Sequence, residues 1–308
     1  MSKRSGESGW DQAVGAKRGK YGLGSLGWVL GQYRLSPDYQ KLKPTTKRTY
    51  EQAFDRLHAY GHEDMAGLRR RHIMKIRDDL ADTPAAANGV LTAIGVLCRF
   101  AIDREMIDVD PSRGIKRLKL GEWRRWTDDE LGRFYTETYE AMRRVLILGL
   151  FTGQRRSDLC RAVWTDIEAG GIKVVQQKTG AKLWIPLHPT LAQHLTEWKR
   201  DTSTVSILAH SERKPWRPGI LSTAFNHEIR RLELSGCTIH GLRKTAAAKL
   251  AEAGASTRQI MAITGHASLS EVERYTREAE QRQLATDAME RFVGPSFKTV
   301  VKPLKRKG

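Results

Sequence analysis

Apolar residues recur every three or four positions along most of this chain and alternate with polar ones in only one region. Helical spacing predicts a first helix from about Leu23 to Leu35. A second opens at Pro44 and Thr45, with Tyr50, Phe54, Leu57 and Tyr60 along one face. Ile73, Ile76 and Leu80 mark a third. A broad stripe of Val90, Leu91, Ile94, Leu97, Cys98 and Ala101 marks a fourth, from about Pro84 to Met106. Residues 21–110 therefore form a module of four or five helices. The pattern breaks at Pro111 and Gly114, and a basic linker is expected over 111–126. Thr127 and Glu130 form a capping box that starts the second domain, 127–293, and a buried helix follows from about Ala141 to Phe151. Alternation appears at 172–177 and 182–187, two strands joined at a turn containing Lys178 and Gly180. Helices return at 189–200, 216–232, His240 to Ala253 (closed by Gly254) and 256–263 (closed by Gly265), followed by the segment that carries Tyr275. Beyond it Leu284, Ala288, Met289, Phe292 and Val293 lie at roughly helical spacing, as a helix packed on its own core would require. The fold class predicted is mostly α with a small β-sheet, in two domains.

Composition sharpens this picture. The 308 residues carry 53 Lys and Arg against 35 Asp and Glu, a formal charge of +18, so a polyanion is the expected partner and nucleic acid leads. Residues 1–20, with Lys3, Arg4, Lys17, Arg18 and Lys20, read as a flexible basic arm, and 294–308 as a basic tail. The linker sets Arg113, Lys116, Arg117, Lys119, Arg124 and Arg125 against one acid, Glu122. In so basic a chain we read it as contacting phosphates and not as a solvated charge run. Lys47, Arg69, Arg70 and Arg71 are DNA-contact candidates on the helical module, where a solvated face is the alternative. Three distant cysteines, Cys98, Cys160 and Cys237, suggest neither a disulfide framework nor a metal pair. The start has no apolar signal region, and the longest uninterrupted apolar stretch, Val145 to Phe151, is too short to span a bilayer. A cytoplasmic protein without membrane attachment is expected.

Two motifs mislead. GLGSLG at 22–27 satisfies G-x-G-x-x-G but follows polar residues and no strand, so it is not a dinucleotide site. His58 and His62 have metal-pair spacing, yet Gly61 weakens the helix and no third ligand is evident, so no metal is expected. Nor does any phosphate-binding loop point to ATP.

A more specific set lies in the second domain: Thr152-Gly153-Gln154-Arg155, Lys178 in QKTGAK, His240-Gly241-Leu242-Arg243, Gly265-His266, and Tyr275 in ERYTR. Spacing i, i+3 puts His240 and Arg243 on one helix face, within reach of one phosphate. In this order and composition the chain resembles the tyrosine recombinase family, which includes phage integrases and bacterial chromosome-dimer resolvases. The resemblance covers the second domain and, more loosely, the first. It departs at Gln154, where Leu is frequent, and at Gly241, where an acid is common; neither change removes a reacting group.

The chemistry of these residues suits exchange of a DNA phosphodiester for a phosphotyrosine. A Tyr phenol has a pKa near 10, so Tyr275, the expected nucleophile, must lose its proton as it attacks. The pentavalent transition state gains negative charge, which the planar donor forks of Arg155 and Arg243 are suited to hold. The resemblance assigns protonation of the leaving 5′ oxygen to Lys178, and gives Asp158 the position of an acid that buttresses the site. His240 would accept or relay the phenol proton and His266 would hydrogen-bond the phosphate, roles an imidazole fills near neutral pH. Religation from a 3′-phosphotyrosine needs neither nucleotide nor metal, so no cofactor is expected.

The resemblance also implies an N-terminal helical core-binding domain, a C-terminal α+β catalytic domain, and a homotetramer on two DNA duplexes with DNA clamped between the domains. It implies a C-terminal helix docked into a neighbouring protomer, and it allows an accessory DNA-bending or excision factor. An integrase of a phage or mobile element is the first reading. A chromosome-dimer or plasmid resolvase, a type IB topoisomerase and a non-catalytic DNA-binding protein are the alternatives.

Overall fold

The computed structural model describes residues 21–121, 123–200, 204–210 and 214–293, without the side chains of 274–276, 278–280 and 282–284. The basic arm, Glu122 and the basic tail lie outside the described residues, as do the side chains of Tyr275 and Leu284. The chain divides into two compact units between Gly121 and Glu122.

The first unit holds helices α1 (Leu26–Leu35), α2 (Pro37–Gln40), α3 (Pro44–Leu57), α4 (Arg70–Asp78) and α5 (Pro84–Ile102). Local signals set their starts. Ser25 caps α1 by accepting from the Trp28 N–H at 3.3 Å, and prolines open α2, α3 and α5, where a missing N–H costs nothing. Phe54, Ile73, Ile94 and Leu97 from α3, α4 and α5 meet Val29 and Leu30 of α1 in a single core. The 19-residue α5 is by length and composition apolar enough to cross a membrane, a property its scattered polar residues conceal in the sequence; here its apolar face is that core. GLGSLG leads into α1, and His58 accepts from or donates to the Tyr21 hydroxyl at 3.0 Å. No cluster of three potential metal ligands occurs among the described residues.

Much of the expected linker over 111–126 is bonded to one unit or the other. Arg70 donates to the carbonyls of Arg113 (2.8 Å) and Gly114 (3.1 Å), and Arg77 donates to that of Lys116 (3.0 Å). Asn88 pairs both ways with the Leu118 backbone, at 2.8 and 2.9 Å. Residues 111–118 are thereby fastened to the first unit, because α4 and α5 supply the partners that this extended backbone lacks. At the other end Trp126 is buried in the second core, its backbone N–H donating to Thr245 Oγ1 at 2.8 Å.

The second unit begins with α6 (Asp128–Glu137), started by the Thr127–Glu130 capping box. Then come α7 (Glu140–Thr152) and the single-turn α8 (Arg156–Leu159). A three-stranded antiparallel sheet follows, β1 (Ile167–Glu168), β2 (Gly171–Val175) and β3 (Lys182–Pro186), in that order, with Ile172 opposite Ile185 and Val174 opposite Leu183. Helices α9 (Pro189–Arg200), α10 (Pro218–Arg231), α11 (Ile239–Glu252), α12 (Thr257–Thr264) and α13 (Leu269–Arg291) complete it. Phe134, Met142, Leu146, Leu148 and Phe225 are fully buried at the centre, and α11 packs against α7, α12 and α13. The fold is mostly helical with one small sheet. The C-terminal apolar stripe departs from packing on its own core: Met289, Phe292 and Val293 are 69%, 64% and 94% exposed.

Candidate active site

Two helix ends shape the site. Helix α7 stops at Gly153 and α12 at Gly265, both in the left-handed region with φ of 62° and 68°. A Cβ on Gly153 would stand 2.9 Å from Thr264 Cγ2, and one on Gly265 would stand 2.7 Å from Gln176 Cδ. Both positions require glycine on two counts, backbone sign and space. The turn at Gly153 releases Arg155 as the residue capping α8, and the turn at Gly265 releases His266.

Arg243 rises from the first turns of α11, whose start is fixed by Thr238 accepting from the Gly241 N–H at 2.9 Å. Only 2% exposed, its Nη1 donates to the carbonyls of Gly153 (2.8 Å) and Thr264 (2.5 Å), so one guanidinium holds both glycine turns. A buried cation with carbonyl partners keeps its charge while remaining aimed. Arg155 is half-buried, and its Nη1 donates to Gln176 Oε1 at 2.5 Å. Lys178 is exposed at the tip of the β2–β3 hairpin. Asp158, 4% exposed, accepts from the Gln177 N–H at 2.9 Å and so pins the base of that tip beside Lys178.

The surroundings of both histidines disfavour the charged form. Thr264 Oγ1 donates to Ile260 O at 2.7 Å and lies 2.6 Å from His266 Nδ1. With its hydrogen committed to Ile260, the hydroxyl accepts from Nδ1–H, which leaves the lone pair of the neutral ring on Nε2. Burial first, then the charges of Arg243 and Arg155, push the His266 pKa down to about 3. Desolvation, then Arg243, Lys244, Arg155 and Lys178, lower that of His240, whose ring keeps an edge to solvent.

Arg155, Lys178, His240 and Arg243 line one cleft of about 550 Å³, together with Trp123, Arg156 and Ser222. His266 stands against it through Thr264 and the two guanidiniums. Tyr275 falls on α13, nine residues beyond His266 in sequence, on a helix packed against α11 and α12. The cleft thus concentrates fixed positive charge beside two imidazoles whose charged form is disfavoured and one exposed amine, which is suited to an anion that gains charge during reaction.

The basic candidates outside the cleft divide by what they touch. Arg69 donates to Ala66 O at 2.7 Å and Arg70 fastens the 113–114 backbone. Lys47 stands 5.2 Å from the Tyr39 ring centre, and Arg117 donates to Thr92 Oγ1 at 2.9 Å. Arg124 pairs with Glu130 at 2.5 Å and donates to Ser235 O, while Arg125 pairs with Glu252 at 2.6 Å. Arg71, Arg113, Lys116 and Lys119 are exposed. Sequence reasoning passed over Gln176 and Thr264, both buried in the network behind the cations; the one available sign was a polar residue closing a strand two positions before Lys178.

The profile of the phage integrase family matches residues 124–282. The integrase of Escherichia phage HK022 is 33% identical over 145 residues, 44% of this chain and 40% of that protein. The integrase of Escherichia phage lambda is 30% identical over 212 residues, 63% of this chain and 54% of that protein. The chain thus aligns with about half the length of these relatives. Among solved structures, a lambda integrase dimer bound to a COC′ core site superimposes with a TM-score of 0.74 at 25% identity, over 82% of this chain and 95% of that one. A lambda integrase tetramer bound to a Holliday junction gives 0.71 at 25% identity, over 86% and 83%. The Tn1549 transposon integrase, at 13% identity and a TM-score of 0.72, shares the fold.

Proposed function

The chain belongs to the phage integrase family, and from that membership we propose that it is a site-specific DNA recombinase acting through a 3′-phosphotyrosine. The observation that carries the proposal is the gathering of Arg155, Lys178, His240 and Arg243 around one cleft, with His266 behind it.

In the reaction the Tyr275 phenol oxygen attacks the scissile phosphorus and passes its proton to an imidazole, a role that suits both the Nε2 lone pair of His266 and the ring of His240. Arg155 and Arg243 hold the non-bridging oxygens as charge builds. The bond to the 5′ oxygen breaks, and Lys178 on its exposed turn gives that oxygen a proton. Rejoining reverses these transfers with a 5′ hydroxyl from another strand. The phosphodiester energy stays in the phosphotyrosine, so the cycle balances without nucleotide or metal.

Double-stranded DNA is the proposed substrate. Relatives named integrase and neighbours described as bound to a core site or a Holliday junction favour integration or excision of a mobile element by a homotetramer on two duplexes. The exposed Met289, Phe292 and Val293 suit a C-terminal helix that docks on a neighbouring protomer. An accessory DNA-bending protein and a place in the cytoplasm on the nucleoid belong to the same reading.

The test is covalent trapping. Wild type and Tyr275→Phe are incubated with nicked suicide duplexes tiled from the DNA flanking the gene. An adduct that survives denaturation, formed by wild type alone and linked through a 3′ phosphate, is expected. Tight DNA binding with no adduct on any duplex would overturn the enzymatic reading.

A further inference from the structure

Behind the guanidiniums lies a pair of interlocked amides that none of the chemistry above uses. Gln154 and Gln176 are only 3% and 1% exposed. Gln154 Nε2 donates to the carbonyls of Thr152 and Ile263, each at 2.9 Å. Its oxygen accepts from Gln176 Nε2 at 2.8 Å, and the same Nε2 donates to Thr264 O at 2.8 Å. Gln176 Oε1 then accepts from Arg155 Nη1 at 2.5 Å and from Thr179 Oγ1 at 3.0 Å.

This chain of bonds has a direction. Two backbone carbonyls force the Gln154 nitrogen toward themselves and leave its oxygen facing Gln176. That oxygen, with Thr264 O, forces the Gln176 nitrogen inward and its oxygen toward Arg155. The three segments joined are those that carry Arg155, the Lys178 turn and His266. Gln176 uses both of its donors and both acceptor positions, so the amide cannot flip without losing several bonds in a buried site. An amide is also neutral. A carboxylate at 176 would hold Arg155 equally well, but it would offset the charge that the phosphate requires and set an anion against two carbonyl-type oxygens.

We propose that Gln154 and Gln176 act as a positioning pair that fixes the Arg155 guanidinium toward the scissile phosphate without neutralising it. The proposal rests on the strand-transfer reading above. It makes Gln176 the residue on which the geometry of Arg155 depends, and Gln154 the residue that sets the orientation of Gln176. Displacing a charge-stabilising group by about 1 Å costs on the order of 100-fold in rate, and losing one such donor costs about 100-fold to 1,000-fold.

The experiment uses the full-length protein and the suicide duplex on which wild type forms its adduct. The single-turnover cleavage rate is measured for wild type, Gln176→Met, Gln176→Glu and Gln154→Leu, alongside DNA affinity by fluorescence anisotropy. A second duplex carries a methylphosphonate at the scissile position, which removes the charge that a guanidinium stabilises. On the natural phosphate, Gln176→Met and Gln176→Glu are expected to cleave about 30-fold to 100-fold more slowly and Gln154→Leu about 3-fold to 10-fold, with affinity held within about 3-fold. On the methylphosphonate these penalties shrink to within about 3-fold, because the interaction with Arg155 no longer contributes. Equal penalties on both substrates would show a packing role and overturn the proposal, as would wild-type rates for Gln176→Glu. Should Gln176→Met lose its DNA affinity through unfolding, the substrate comparison on Gln154→Leu decides by the same criterion. Absence of any wild-type adduct would instead sink the strand-transfer reading itself.

Discussion

His266 is the residue whose surroundings make the most definite demand. Its Nδ1 faces a hydroxyl already committed to Ile260, and burial and two guanidiniums hold its pKa down at about 3. The folded protein therefore refuses a proton that the unfolded chain accepts near pH 6.5. The sign follows from linkage: above pH 6.5 the ring is neutral in both states, and between pH 6.5 and about 3 the unfolded state alone takes up the proton, so stability falls as pH falls. We expect the unfolding temperature of the DNA-free wild type to drop more between pH 7 and pH 5 than that of His266→Gln. His240 shifts in the same direction and is present in both proteins. Parallel slopes would show that the ring is not held neutral. In the proposed reaction, a phosphodiester held by the same cations would bring a negative charge that favours the protonated ring.

At the scale of elements, the site is built from terminations more than from the helices themselves. Helices α7 and α12 end on left-handed glycines, and Arg243 joins the two ends through Gly153 O and Thr264 O. Gly265→Ala is expected to lower the unfolding temperature through the left-handed cost of about 1–2 kcal/mol, and through contact of the new methyl with Gln176 and Leu183. Gly254→Ala is the control, since Gly254 has φ of 82° and no atom within 4 Å of its added Cβ. The larger drop should belong to Gly265→Ala, and calorimetry giving equal drops would remove the contact from the argument. The sequence made these ends visible, because Gly153 and Gly265 stop clear apolar periodicities, and the hairpin was visible in its alternation. What stayed hidden has physical reasons. Strand β1 has two residues and α2 has four, too short for any period to register. Gln176 resembles a solvent-facing residue at a strand end, and only the tertiary approach of Thr264 and Gln154 buries it. Arg70 and Arg124 were legible as charge, yet much of what they do is bind backbone carbonyls.

For the whole molecule, the decisive distinction is between a basic segment and a basic linker. The run from Arg113 to Arg125 contains enough cations to meet a DNA backbone, and its composition alone gives every cation the same standing. The structure separates them by what holds the backbone beneath. Residues 113–118 are bonded to Arg70, Arg77 and Asn88, whereas Arg124, Arg125 and Trp126 are bonded to groups of the second unit. Between them the exposed Lys119 and Leu120 lie next to the boundary of the two units. A protease cuts where backbone can leave its partners at low cost, not wherever a basic side chain is exposed. Brief trypsin treatment of the DNA-free protein should therefore cut after Lys119 before it cuts after Arg113 or Lys116, although all three side chains are exposed. Mass spectrometry of the early fragments reads the order directly. Early cuts after Arg113 and Lys116 would mean that the bonds from α4 and α5 do not hold this segment, and the linker would revert to the longer span its composition suggests. Cutting confined to Lys119 would assign the backbone of Arg113 and Lys116 to the first unit. On the proposed DNA-binding reading, alanine substitution there should reduce the salt dependence of DNA binding by about one counterion for each phosphate that is no longer neutralised.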